Sequence, residues 1–499
     1  MSIPLDSSAV RIDGRLMAIA LAFLCAGLIA VGAVMEGQPL VALAAVLAVP
    51  AAVSVLARPD ATIPVVLFLI YSNAMVVAVH FHGVPSIAAM LAPAPLIIPL
   101  LYNIVLLRQR IVLGPALPWI LAFVGWQLLS AMFSRAPDQA IEGVMSTVFE
   151  GLLMYVLITN VVRSSRILRT SVWALIAAGT FMGGISVYQQ TTRSFDSDFG
   201  GFGQMSDRSG FQVAEGHGTV IQQRLSGPIG EKNRYAQVML MLIPLALSRF
   251  WIERNVGLRS VAMVSAMLIA MGCALTFSRS GAIAFVLMSM VGLALKFVSP
   301  KQVGLLGIGG LVLLLAVPQY RTRLATVPTA LGIFGASSTQ EEPDGAIRGR
   351  VTEMLAAARM AIDHPVFGVG PDMSGEYTRE YGQIGGLRAL EGPRQTHCMF
   401  LEIPAETGLP GMTLFLSMLA ATILSLLRTR SQIMDSEREL EQTVSAFLLA
   451  MTGYLVMGIF LHMSYVRYFW LMLAMTDAAT CVARMSNKRT TPDAQAAIA

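Results

Sequence analysis

The chain has 499 residues, 55% of them hydrophobic and 13% charged, with a formal net charge of +5. A soluble domain carries about 25% charged residues, so a mean hydropathy of +0.66 excludes an ordinary soluble fold. The basic excess needs no nucleic acid, because basic residues set orientation in membrane proteins.

Apolar runs long enough to cross the hydrocarbon recur along the whole length. They are continuous rather than alternating, which excludes a transmembrane barrel and predicts an all-α polytopic membrane protein. Fourteen spans are expected, near 16–35, 39–57, 62–80, 85–106, 115–133, 143–162, 168–188, 234–250, 258–277, 281–298, 303–317, 399–427, 444–462 and 466–483. Arg11 and Arg15 precede the first, which reads as a retained span rather than a cleaved signal. Pro93, Pro95 and Pro99 predict an irregular fourth span. Cys25, Cys273, Cys398 and Cys481 form no disulfide framework.

Two polar connections are long, a smaller one at 189–233 and a larger one at 318–398. The chain therefore divides into a bundle over 1–317, a lid over 318–398, further spans over 399–483 and a polar, disordered tail over 484–499. No strand pattern stands out in either connection. Gly227, Pro228 and Gly230 are turn formers that hold the first connection at the membrane face. In the lid, Val351, Leu355, Ala358 and Ile362 share one face of a helix over 350–362, which His364-Pro365 stops. Gly368 and Gly370 read as turn formers rather than a phosphate cradle.

With the N-terminus in the cytoplasm, nineteen Lys and Arg fall in the inner segments and three, Arg135, Arg279 and Arg467, in the short outer ones. That asymmetry supports the orientation and puts both termini inside and both long connections outside. The outer arginines are then unexpected. Arg224 and Arg394 close the two long connections, Arg279 lies in the tight turn Phe277-Ser-Arg-Ser-Gly281, and Arg467 opens the last span. Arginine forks match phosphate geometry and stay charged, so an anion held at the interface explains them. A lipid diphosphate sits at that depth, and cations aimed at the leaving diphosphate would stabilise its departure from a sugar.

The attacking sugar hydroxyl needs a base, and His397 is well placed just ahead of the helix from Met399. His80, His82, His217, His364 and His462 are less well placed. No paired-carboxylate metal motif is present, so no metal or other cofactor is expected. Glu402 and Glu406, four apart on one helix face, read as caps or as partners of an arginine.

Four patches resemble the O-antigen ligase and O-antigen polymerase superfamily of bacterial envelope glycosyltransferases. They are Arg224-Leu-Ser-Gly227 with Asn233-Arg-Tyr-Ala236, Thr276-Phe-Ser-Arg-Ser-Gly281, His364-Pro-Val-Phe-Gly-Val-Gly370, and Thr396-His397 through Leu401-Glu402 to Glu406-Thr-Gly408 and Gly411. Together they cover roughly 220–415. Lys232 stands where the family often has Pro, and Cys398 where Asn is common.

The resemblance implies a metal-independent, inverting glycosyltransferase of the GT-C membrane class in the bacterial inner membrane. Its donor would be a glycan on undecaprenyl diphosphate. Arg224 and Arg279 would hold the diphosphate and His397 would be the base, with Asn233, Ser278, Ser280, Arg394, Glu402 and Arg467 as further substrate-binding residues. A lipid-linked acceptor makes it a polymerase of exopolysaccharide or O-antigen, the reading preferred; a lipid A core acceptor makes it a ligase. Membrane lipids and a chain-length regulator or export protein are further expected partners. A transporter or flippase of the same lipid is the rival from another class, but it needs cations within the spans, and here they sit at the boundaries. Arg224, Arg279 and His397 are expected to face one pocket.

Overall fold

A computed structural model describes residues 59–205, 211–215, 218–302, 304, 345–383, 394–433, 437–463 and 466–490. The expected spans 16–35 and 39–57 lie outside the described residues, as does almost all of 303–317. The rest is helical: α1 Pro59–Tyr71, α2 Ala74–His82, α3 Ser86–Met90, α4 Ile97–Leu101, α5 Leu117–Met132, α6 Pro137–Ser146, α7 Met154–Val161, α8 Ser165–Thr192, α9 Lys232–Ile252, α10 Val256–Ala274, α11 Arg279–Ala294, α12 Gly345–Asp363, α13 Ser374–Gln383, α14 Met399–Gln432, α15 Arg438–Gly458 and α16 Val466–Thr490.

Seven helical stretches among the described residues are long and apolar enough to cross a membrane, or eight if α1 and α2, bent by 55°, form one span. The proline-rich fourth span is broken as its sequence predicts. It runs as α3, a 3-10 turn at Ala94–Leu96, α4 and a π turn at Tyr102–Leu106. α16 falls short of the span criterion because it is an interior helix, whose neighbours are protein rather than lipid. Tyr468, Phe469, Trp470, Asp477 and Thr480 on it are all buried. It also runs past Arg484 to Thr490, so the tail is ordered further than its polarity suggests. Arg484 donates to Thr429 Oγ1 and Ser425 Oγ, both at 2.9 Å, which ties that end to α14.

α9 is the axis of the bundle, with almost every side chain from Asn233 to Arg249 buried. It packs against α8, α10 and α15. α10 and α11 lie outside it and expose Val261, Val264, Met267, Val286, Leu287 and Met290, the pattern of helices whose outer solvent is hydrocarbon. At the end where α9 stops, Arg249 meets Glu439 at 2.7 Å and Arg169 meets Glu253 at 2.6 Å. This network locks α8, α9 and α15 opposite the end where α9, α11 and α14 begin.

One expectation needs correction. The connection 189–233 is not wholly irregular. β1 Gln204–Met205 pairs antiparallel with β4 Leu225–Gly227, and β2 Phe211–Glu215 pairs antiparallel with β3 Gly218–Gln222, Phe211 opposite Gln222. Strands this short leave little alternation to detect. The lid helix exists as predicted, and the side that carries Leu355 and Ile362 faces outward. Leu355 and Ile362 are 40% and 74% exposed, while Thr352, Glu353, Ala356, Ala357 and Met360 are buried. Small residues allow close approach to α14, and Glu353 faces inward for the reason given below.

The segment 364–370 clamps a break in α14. Gly408 has φ 69 and ψ −177, which splits α14 in two. The break frees backbone groups that need partners. Leu409 N–H donates to Pro365 O at 2.8 Å, Val369 N–H to Ala405 O at 2.9 Å and Gly370 N–H to Glu406 O at 3.0 Å. Trp126 Nε1 donates to Thr407 O at 2.8 Å. Phe367 is held between Trp126 and Phe133, with ring centroids 5.4 and 4.1 Å away. Gly368 and Gly408 both have positive φ, and a Cβ on Gly408 would lie 2.0 Å from Val366 O. Gly408→Ala should therefore cost about 2–4 kcal/mol through backbone strain and overpacking, read as a lower melting temperature of the purified protein in detergent.

Candidate functional site

The N-terminus of α9 starts the site. The Glu231 carboxylate caps it, accepting from Asn233 N at 3.0 Å and Arg234 N at 2.5 Å, and also from Asn233 Nδ2 at 3.1 Å. Asn233 Oδ1 then accepts from Ser278 Oγ at 2.9 Å, and Ser278 Oγ lies 3.0 Å from Ser280 Oγ. Ser278 also caps α11, accepting from Gly281 N at 3.2 Å. One hydrogen-bonded knot thus joins two helix starts, α9 capped by a carboxylate and α11 by a hydroxyl. Arg279, half-buried, is the first residue of α11.

Arg224 stands behind that turn. Its Nε donates to Thr276 O at 2.9 Å and its Nη2 to Phe277 O at 3.4 Å. Phe277 has φ +51, a conformation the two bonds help to hold. Arg224 therefore braces the backbone that carries Arg279 and adds its charge to the same place.

His397 enters from the lid. Glu353 Oε2 lies 2.7 Å from its Nδ1, and Gln395 O lies 3.2 Å from the same nitrogen. Arg394 Nη1 is 3.5 Å from the other oxygen of Glu353, so Arg394 is placed as a partner of that acid. The His397 and His462 rings meet edge to face at 5.9 Å. Cys398 occupies the cap position of α14 without a side-chain hydrogen bond.

Arg234 connects the two halves. It is 1% exposed, donates to Gln237 Oε1 at 2.7 Å, and donates to the carbonyl of His462, the residue against which His397 packs. Gln237 passes the link on to Tyr454 O at 3.0 Å. Glu402, also buried, accepts from Met463 N and lies within reach of the Arg234 charge. Glu406 turns to the lid instead, accepting from Ser374 Oγ at 2.7 Å and Asp372 N at 3.0 Å.

Arg224, Asn233, Ser278, Ser280 and Arg279 thus form one group, and His397, Arg394 and Glu402 join it through Arg234 and His462. Arg467 is half-buried in the first turn of α16, and its Nε has no hydrogen-bond partner among the described residues. Arg135 has a different explanation. It pairs with Glu380 of α13 at 3.0 Å and lies 4.8 Å over the Tyr377 ring, docking the lid. A cavity of ≈ 360 Å³ lies near Tyr102, Asn103 and Arg163 and includes none of the site residues. What unites the site is a run of contacts.

Sequence reasoning overlooked Arg234 and Glu353 and ranked His462 low. Arg234 opens a span, so it counts with neither the loops nor the membrane. Glu353 lies off the apolar side of α12, so the helix periodicity does not mark it as buried.

Residues 264–416 match a family model described as O-antigen ligase. The match includes the turn 276–281, the clamp 364–370 and the stretch 396–411, while Arg224 and Asn233 lie before it. They reach it physically, through the bonds to Thr276, Phe277 and Ser278. A comparison with curated proteins finds no match.

Burial, then the charges of Arg234 and His397, pushes the His462 imidazole down to about 3. An unfolded histidine titrates near 6.5. As pH falls below that value the unfolded state takes a proton and the folded state does not, so stability is lost between about 6.5 and 3. At pH 5 the loss should be about 2 kcal/mol. Melting temperatures of His462→Asn should fall less steeply from pH 7 to pH 5 than those of the wild type.

Proposed function

We propose that the chain, of which residues 264–416 match a family model described as O-antigen ligase, is a multi-pass membrane protein of the O-antigen ligase and polymerase superfamily and acts as a glycosyltransferase-type enzyme. We propose that it moves a glycan from undecaprenyl diphosphate to an acceptor sugar at the outer face of the bacterial inner membrane, with both termini in the cytoplasm. The supporting observation is the run of contacts from the Ser278–Ser280 turn through Asn233, Arg234 and His462 to His397. It holds cations, helix starts and an imidazole at one end of the bundle.

Arg279, braced by Arg224, takes the diphosphate. His397 removes the proton of the acceptor hydroxyl. The oxygen attacks the anomeric carbon on the side away from the diphosphate, so the configuration inverts. Arg467 and the hydroxyls of Ser278 and Ser280 offer further donors to the phosphates. The acceptor is the growing end of another lipid-linked chain, which makes the enzyme a polymerase of O-antigen or exopolysaccharide. Transfer to lipid A core, the ligase reaction, uses the same chemistry.

Deleting the gene and separating envelope polysaccharides on a gel tests the choice. Single repeats indicate a polymerase; long lipid-linked polymer beside bare core indicates a ligase; an unchanged pattern rejects both. In membranes carrying the variants, His397→Ala should lower transfer by about 10²–10⁴ and Arg279→Ala by about 10²–10³. Unimpaired transfer by His397→Ala would remove the assigned base.

A further inference from the structure

Glu353 is 2% exposed, although it belongs to a lid helix that leaves Ile362 74% exposed. Burying a carboxylate costs several kcal/mol unless opposite charge meets it. α12 therefore lies with its costly face inward, and what that face meets is His397 and Arg394. Oε1 lies 3.5 Å from Arg394 Nη1 and Oε2 lies 2.7 Å from His397 Nδ1. The Nδ1–H direction is aligned on Gln395 O at 3.2 Å. Oε2 is closer but off that line, and it has no aligned hydrogen-bond partner among the described residues. A buried carboxylate oxygen thus lies 2.7 Å from the imidazole Nδ1 with no aligned hydrogen bond of its own. Nε2 of the same ring makes no hydrogen bond to a described residue. The neighbouring His462 offers no competing charge, since its carbonyl is taken by Arg234 and its ring stays neutral.

We infer that Glu353 is the positioning residue of His397. It keeps the proton on Nδ1 and leaves the lone pair on Nε2 for the acceptor. It also stabilises the imidazolium that forms, as carboxylates beside functional histidines do. Arg394 holds the far oxygen of Glu353. The inference rests on the reading of His397 as base. In the step, the acceptor O–H bond breaks as an Nε2–H bond forms. The oxygen pair makes the new bond to the anomeric carbon, and the sugar–phosphate C–O bond breaks with its electrons leaving on the diphosphate. Imidazole becomes imidazolium beside a fixed negative charge.

The test uses the full-length protein in nanodiscs, with the undecaprenyl-diphosphate-linked repeat of the same cell as donor. Glu353→Gln keeps the shape and removes the charge. Its kcat should fall about 10–100-fold with KM for donor and acceptor little changed. With the charge beside the imidazole removed, the acid limb of the pH–rate profile should move to lower pH. Glu353→Asp should recover part of the rate and of the limb. An unmoved acid limb overturns the inference, whether kcat is unchanged or falls together with the melting temperature in both variants. A fully active His397→Ala removes the base reading and this one with it. An inactive His397→Ala beside an unaffected Glu353→Gln removes this one alone.

Discussion

A guanidinium sealed inside a membrane bundle has to find acceptors there, because neither lipid nor water will supply them. Arg234 at the start of α9 meets that requirement with the Gln237 side chain and the His462 carbonyl. Gln237 in turn bonds a carbonyl of α15, and Glu402 on α14 lies within reach of the same charge. One buried cation thus sets the spacing of α9, α14, α15 and the turn after α15. That turn is the floor on which His397 rests, so the geometry of the imidazole depends on it.

The lid is attached to the bundle in two ways that differ in strength. The clamp at 364–370 replaces backbone hydrogen bonds that α14 loses at Gly408, so it is part of the helix rather than a cover laid over it. The pairing of Arg135 with Glu380 is 63% and 54% exposed on its two sides, and pairs of that kind contribute about 0–1 kcal/mol. The region around Glu353 and His397 is therefore anchored rigidly to the membrane helices. The α13 edge is the more weakly tied of the two.

The mostly helical class and the seven candidate spans among the described residues were legible, because hydrocarbon admits few backbone solutions and marks them with long apolar runs. The break at Pro93, Pro95 and Pro99 was legible for an equally local reason. The α16 interior was less so, since Asp477 and Thr480 lower its hydropathy while neighbouring helices bury them. The helix α12 was legible, and which way its apolar side points was not. Periodicity shows which residues share a side, and here the side with Leu355 and Ile362 points away from the protein, as a helix at a membrane boundary allows. The short strands at 204–227 left no pattern to read.

For the site, the sequence by itself determined the chemical parts: cationic side chains in tight turns outside the spans, and a histidine where a polar connection enters a helix. Such parts are set by local backbone and by the cost of charge in lipid, which act over a few residues. Only the tertiary structure decided how they combine. It put Arg224 behind the turn of Arg279, gave His397 a carboxylate from 44 positions earlier, and joined both through Arg234 and His462. Those are contacts between distant segments. Their partners are selected by which helix ends converge, and no local pattern in the chain records that convergence.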